Sequence, residues 1–334
     1  MGAGSFGVAL AITADKLGGN VTLYSPFESE VRSLAVDREH KKNLPGVIIP
    51  DEIAISNSLK DLSAQNLVII ATPSSAVRES ARRLAEHKLP PDLVTACVSK
   101  GLEEGSYKTL SCVLQEELPG VRHVMVSGPS HAEEVATGVP TTVVAASRDR
   151  NAARFVQDAL SGETLRIYVS DDVLGVELGG ALKNVIALAA GILDGLDGGD
   201  NTKAALITRG MAEIARLGVV LGAKSETFSG LSGIGDLIVT CSSVHSRNRR
   251  CGMLIGQGVT PLDAVAQIGM TVEGYACAKI AWELSEKHGV TMPITEQVYK
   301  VLYEGKNLRQ AVLDLMHRPK RHENEEVWLT SQGG

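Results

Sequence analysis

The sequence predicts an α/β protein, with a doubly wound sheet domain followed by an all-helical domain. The first half alternates short apolar runs with helix-like segments, whereas from about Asp171 the strand signals nearly vanish into long Ala- and Leu-rich helical stretches. Length supports the division: 334 residues exceed one ordinary core, so two domains are expected.

Strands are expected at Val21–Tyr24, Leu67–Ala71, Leu93–Val98, Val124–Ser127 and Thr141–Ala145. Each is a continuous apolar or β-branched run, the pattern of parallel strands buried on both faces. Helical segments such as Phe6–Leu17 and Val77–His87 lie between them, which reads as βαβ units. Beyond a further strand signal at Leu165–Val169, helices are expected over Val173–Ala190, Thr202–Leu217 and Ala276–His288. The expected organisation is a dinucleotide-binding domain over 1–170, a helical substrate domain over 171–320 and a charged, then polar tail over 321–334.

Composition narrows the partners. Aromatics make up only 4% of the chain, so the core must be aliphatic. A net charge of −6 argues against nucleic-acid binding and leaves anions to local basic pockets. Cys97, Cys112, Cys241, Cys251 and Cys277 form no CxxC pair, so neither a disulfide framework nor a metal site is signalled. No apolar run is expected to approach the ~18 residues of a bilayer span, and no signal peptide is visible. A cytoplasmic protein with a small-molecule substrate is expected.

The chain opens on Gly2-Ala3-Gly4-Ser5-Phe6-Gly7, a GxGxxG loop. In a Rossmann-type domain the first glycine permits the tight turn, the second lets a pyrophosphate approach the backbone, and the third packs helix against strand. The following helix offers unpaired N–H groups to phosphate. The pattern needs a strand before it, and none precedes Met1 in this sequence. A start some 5–10 residues upstream, about one strand's length, is therefore expected. Ala71-Thr72-Pro73-Ser74 ends an apolar strand where a ligand crevice is expected, which selects Pro73. At the end of the second strand of such a domain an acid favours NAD and an arginine NADP. Ser25-Pro26, with Glu28, Glu30 and Arg32 beyond, leaves NAD or NADP open.

In the second half, Glu177–Ile186 places Lys183 alone in an apolar, small-residue helix. A lysine buried there must be neutral, paired or facing a cavity, and burial lowers a lysine's pKa from ~10.4 toward a general base's range. The alternative is a lysine that snorkels to the surface. Asp236 and Thr240 stand four apart, on one helical face. Ser246-Arg247-Asn248-Arg249-Arg250 reads as a compact anion-binding cluster, or else as a solvated basic face.

These segments resemble the NAD(P)-dependent glycerol-3-phosphate dehydrogenases, over essentially the whole chain. The resemblance rests on GAGSFG, VSKGLE (Val98–Glu103), SGPSHAEE (Ser127–Glu134), ELGGALKNVIALAAGILDGL (Glu177–Leu196), GDNTKAALITRG (Gly199–Gly210), GIGDLIVTC, SRNRR and VEGY (Val272–Tyr275), in family order. Their texture is similar to the bacterial branch.

The resemblance implies that Lys183 accepts the C2 hydroxyl proton as hydride passes to the nicotinamide, with Asp236 and Thr240 orienting it. It implies that Lys100 contacts substrate and cofactor and, as a like charge, further depresses the Lys183 pKa. Gly128, Ser130, Asn184, Ser246, Arg247 and Asn248 are implied as substrate contacts, with Arg247 on the phosphate. Ser5, Phe6, Ala132, Thr271 and Glu273 join Lys100, Arg247, Pro73 and the loop glycines Gly2, Gly4 and Gly7 as implied cofactor contacts. A homodimer and the supply of glycerol 3-phosphate for phospholipid synthesis are also implied. Pro26 stands where many bacterial members carry a basic residue, and Ser130 where threonine is common. A dehydrogenase of the 6-phosphogluconate or β-hydroxyacid type, and a non-catalytic nucleotide sensor, remain as rivals; the first does not need SRNRR, and the second requires a lost catalytic group.

Overall fold

A computed structural model describes residues 1–61 and 65–320, so the expected tail lies outside the described residues. The chain forms two compact units, Met1–Glu177 and Leu178–Gly334.

The first unit runs α1 (Ser5–Lys16), β1 (Thr22–Tyr24), α2 (Glu28–Asp37), β2 (Glu39–His40), β3 (Leu44–Ile48), β4 (Ala54–Ser56) and β5 (Leu67–Ile70). It continues through α3 (Val77–Ala85), β6 (Val94–Cys97), α4 (Leu110–Glu117), β7 (Arg122–Ser127), α5 (Ala132–Ala136), β8 (Thr141–Ala146), α6 (Arg150–Leu160) and β9 (Leu165–Ser170). All six expected strands form, within a residue or two of their expected bounds. Val94–Cys97 is buried at every position, as a strand covered on both faces must be.

One expectation fails. The strands are not all parallel: β5, β6 and β7 run parallel, but β8 pairs antiparallel with β7, Met125 opposite Ala146. Between these strands the chain forms only the five-residue α5, which packs on α1 through Ala132, Val135 and Ala136. The chain therefore turns back beside β7, with no helix long enough to carry it across the sheet.

β1 pairs with β4 in a separate parallel ladder. Met1 and Gly2 stand between this ladder and β5: Gly2 N–H donates to Tyr24 O at 3.0 Å, Ala71 N–H donates to Met1 O at 2.8 Å, and the Met1 amine donates to Ile69 O at 2.7 Å. Met1 and the first loop glycine are thus hydrogen-bonded to both β1 and β5.

The second unit begins within α7 (Val173–Gly195) and adds α8 (Gly199–Val220), α9 (Ser225–Phe228), α10 (Asp236–Ser242), α11 (Arg247–Gly256), α12 (Pro261–Ile268), α13 (Glu273–His288), α14 (Pro293–Tyr303) and α15 (Leu308–Met316). α7 corrects the expected absence of any span-length apolar run: by length and composition it passes that test. However, 94% of its most apolar window is buried inside the protein, as befits a core helix.

Its packing is set by glycine. A Cβ on Gly191 would lie 1.9 Å from Arg249 O, and one on Gly252 would lie 2.0 Å from Leu188 O. Gly195 and Gly256 face the same crossing, so α7 and α11 touch backbone to backbone.

Candidate active site

In the first unit the parallel strands β5, β6 and β7 deliver three loops to one edge of the sheet: Ala71–Pro73, Val98–Lys100 and Gly128–Ser130. The loops are tied together. Ser99 Oγ donates to Thr72 O at 2.5 Å, while Lys100 Nζ donates to Gly128 O at 2.8 Å and Ser130 Oγ donates to the same carbonyl at 3.0 Å. This brings Pro73, Lys100, Gly128 and Ser130 together, and Ala132 opens α5 two residues beyond.

The glycine loop fits a nucleotide phosphate. Gly2 has φ +96°, and a Cβ there would lie 2.6 Å from Ala71 O. Gly7 packs so closely that its Cβ would meet Gly2 O at 1.9 Å. Between them Gly4 would point a Cβ into open space, with nothing within 4 Å. Gly4 also occupies the N-cap of α1 with no side-chain cap, so Ser5 and Phe6 open a helix whose first N–H groups face that space. Thr72 Oγ1 is buried without a hydrogen-bond partner at the neighbouring loop, as is Ser127 Oγ at the end of β7. Thr72 lies within the Ala71–Ser74 stretch that the sequence singles out, where only Pro73 is selected, whereas the Ser127 hydroxyl carries no signal until burial leaves it unpaired.

In the second unit Lys183 is 5% exposed, which removes the snorkelling alternative. Its Nζ donates to Asp236 Oδ1 at 2.5 Å and to Thr240 Oγ1 at 2.7 Å. Asp236 is the first residue of α10, and Thr240, one turn on, donates to Asp236 O at 2.6 Å. The expected i, i+4 face is therefore real, and it is turned onto the lysine. A tight turn aims it: a Cβ on Gly233 would meet Phe228 O at 2.1 Å, and one on Gly179 of α7 would meet Ser232 O at 2.5 Å. The ion pair compensates charges that would otherwise be buried alone, at a cost of several kcal/mol.

Beside the lysine, Asn184 Oδ1 accepts from Asn248 Nδ2 at 2.9 Å, and Asn248 Oδ1 accepts from Gly274 N–H at 2.8 Å. This chain links α7, α11 and α13, and it places Glu273 next to Gly274 at the start of α13, with the exposed Thr271 just before it.

The SRNRR cluster is more divided than expected. Ser246 caps α11, accepting from Arg249 N–H at 3.2 Å. Arg249 is spent on Asp194, with Nε at 2.6 Å from Oδ2, and Asp194 also holds Lys203. The stretch is neither a solvated face nor one anion cluster: Arg249 braces α11 against α7, leaving Arg247 as the half-buried cation at the helix N-terminus.

The comparisons agree with this geometry. A family model described as NAD-dependent glycerol-3-phosphate dehydrogenase N-terminus matches residues 1–153, and its C-terminus counterpart matches 172–313. A protein of Clostridium perfringens (strain SM101 / Type A) named glycerol-3-phosphate dehydrogenase (NAD(P)+) is 48% identical over 97% of this chain and 98% of its own length. One of the same name from Desulfitobacterium hafniense is 49% identical over 98% of this chain and 93% of its own. The crystal structure of glycerol-3-phosphate dehydrogenase from Coxiella burnetii superposes with a TM-score of 0.91 at 39% identity, covering 95% of this chain and 97% of that one. A glycine cradle, a buried lysine held by aspartate and threonine, and these matches over nearly the whole sequence have one reading: the chain belongs to the NAD-dependent glycerol-3-phosphate dehydrogenase family.

Proposed function

We propose that this chain catalyses reversible hydride transfer between NAD(P)H and dihydroxyacetone phosphate, giving sn-glycerol 3-phosphate. The observation that carries this reading is Lys183, buried and hydrogen-bonded to both Asp236 and Thr240.

In the oxidative direction Lys183 acts as the neutral amine. Its Nζ lone pair takes the C2 hydroxyl proton as the C2–H electron pair leaves as hydride and C2=O forms, and the resulting ammonium is balanced by Asp236. In reduction its ammonium returns that proton to the carbonyl oxygen. The nicotinamide, when bound, accepts or supplies the hydride. Asp236 and Thr240 fix the direction of Nζ, so no reorganisation is needed when the proton moves. Arg247 and the N-terminus of α11 receive the substrate phosphate, where a guanidinium fork and helix N–H groups favour a dianion. Ser246 and Asn248 shape that end, with Asn184 holding Asn248. The family resemblance assigns Lys100, Gly128 and Ser130 to substrate, and Lys100 also to cofactor. Gly2, Gly4, Ser5, Phe6, Gly7 and Pro73 cradle the nucleotide, and the family resemblance also assigns Ala132, Arg247, Thr271 and Glu273 to the cofactor.

Oxidation of NADH or NADPH on addition of dihydroxyacetone phosphate, followed at 340 nm, is the direct test; a folded protein that oxidises neither overturns the reading. A homodimer in the cytoplasm belongs to the same proposal, carried by the family resemblance.

A further inference from the structure

Just beyond the end of β1, the first turn of α2 carries the carboxylate of Glu30, hydrogen-bonded to Ser25. Gly2 N–H donates to Tyr24 O at 3.0 Å, so the glycine loop and the end of β1 are hydrogen-bonded neighbours. In a domain of this kind, the group beyond the second strand, some 20 residues past the glycines, meets the ribose 2′ position. Here that place is held by Ser25, only 1% exposed, and by Glu30 in the first turn of α2. Ser25 Oγ donates to Glu30 Oε2 and accepts from Phe27 N–H at 3.2 Å, so the serine hydroxyl is committed within the protein. Glu30 keeps 29% of its side chain exposed, so its carboxylate is accessible to a ligand hydroxyl.

Three cations of this region, Arg32, Arg38 and Lys41, are engaged elsewhere. Arg32 pairs with Glu28 on the outer face of α2. Arg38 donates to the carbonyls of Ile49, Pro50 and Ile53, and Lys41 pairs with Asp37 at 2.7 Å. His40 Nε2 lies 3.4 Å from Glu30 Oε1, with its ring held by Asn43. Residues 25–27 contain no basic side chain at all.

We infer that Glu30, braced by Ser25, is the residue that sets cofactor specificity and makes the protein prefer NAD(H) to NADP(H). A ribose 2′-hydroxyl donates to the carboxylate, whereas a 2′-phosphate brings a dianion against it, with no guanidinium from residues 25–27 to offset the repulsion. The inference rests on the proposed nucleotide site and adds a direction to a reading that admits both cofactors.

Equilibrium titration of NADH and NADPH fluorescence, without substrate, tests it. NADH is expected to bind at least about tenfold more tightly than NADPH. In Glu30→Gln, the ratio is expected to fall to within about threefold, chiefly by tighter NADPH binding. Equal affinities in the wild type, or a preference for NADPH, overturn the inference while leaving the nucleotide site standing. An NADH preference that survives Glu30→Gln intact removes Glu30 as its cause. If neither nucleotide binds, the proposed site falls and this inference with it. Should Glu30→Gln fail to fold, Pro26→Arg gives the reverse arm: a guanidinium beside Ser25 must raise NADPH affinity with NADH little changed, and no gain counts against the inference.

Discussion

The two units place their functional groups by opposite means. In the first, the nucleotide cradle is backbone: Gly4 leaves open space between two glycines that are locked against their neighbours, and the rim is stitched by bonds to main-chain carbonyls such as Gly128 O and Thr72 O. In the second, the proposed reactive centre is made of side chains, a buried ammonium bonded to a carboxylate at 2.5 Å and a hydroxyl at 2.7 Å. A backbone cradle suits a large, invariant ligand moiety, which needs donors and room. A proton-transfer centre needs one atom fixed in place, and a buried ion pair fixes it at the cost of desolvation. Side-chain truncation should therefore cost turnover most at the Lys183 centre of the second unit, whereas the glycine backbone is the sensitive element of the first.

Breaking the ion pair gives the largest expected effect. Lys183→Ala should lower turnover by on the order of 10³-fold, while NADH binding stays within a few-fold of wild type. It should also lower stability by roughly 3–5 kcal/mol, because Asp236, 1% exposed, loses the buried cation that balances its charge. Combining Lys183→Met with Asp236→Asn should recover most of that stability in thermal melts and none of the turnover. Recovered activity in the double variant would mean that the lysine is structural alone.

Glycine substitutions sharpen the comparison from the other side. Gly252→Ala drives a Cβ to 2.0 Å from Leu188 O, forcing α7 and α11 apart, with an expected loss of at least roughly 3 kcal/mol. Gly4→Ala meets nothing within 4 Å, so the melting temperature should hold while NADH affinity falls between roughly tenfold and a hundredfold. If Gly4→Ala binds NADH as the wild type does, the open space above that residue is not where the pyrophosphate lies.

The glycines also mark where the sequence stops being legible. Lys183 stands out as one charge in an apolar helix, and Asp236 with Thr240 as a pair on one face, because both are local patterns. Asn184, Asn248 and Gly274 are 64 and 26 positions apart along their bonded chain, and only the α7–α11 crossing brings them together. Gly191, Gly195, Gly252 and Gly256 are visible as letters, but nothing local says that one pair faces the other. The same limit hid the use of Arg249 by Asp194. In the first unit the buried strands announced themselves by continuous apolar runs. By contrast β2, β3 and β4 are short and half exposed, β3 with only Leu44 fully buried, so their periodicity is too weak to read. The direction of β8 depends on α5 packing against α1, a tertiary fact.

The smallest expected effect concerns a device that both units share. Each buries one glutamate to hold the N-terminus of another helix: Glu177 accepts from Ser111 N–H at 2.8 Å at the start of α4, and Glu213 accepts from Ile294 and Thr295 N–H at 2.7 and 3.2 Å at the start of α14. Burial pushes both carboxyls up from 4.5 to about 7, against the lowering effect of those N–H bonds. A raised carboxyl means that, between pH 4.5 and 7, the folded state keeps a proton that the unfolded state has released. Stability must then fall as pH rises through that window, and level off above it, by no more than roughly 3 kcal/mol per group. Glu213→Gln cannot titrate, yet it loses an acceptor and turns an amide donor toward the N–H groups, so it should be less stable at every pH. Its deficit against the wild type should therefore shrink steadily from pH 4.5 to 7 and stay constant beyond, in urea midpoints measured across that range. Turnover should be unaffected at fixed pH, since Glu213 bonds to none of the residues around Lys183. A deficit that is flat with pH would mean that Glu213 ionises in the folded state as readily as in the unfolded one, and that the two helix-holding carboxylates differ after all.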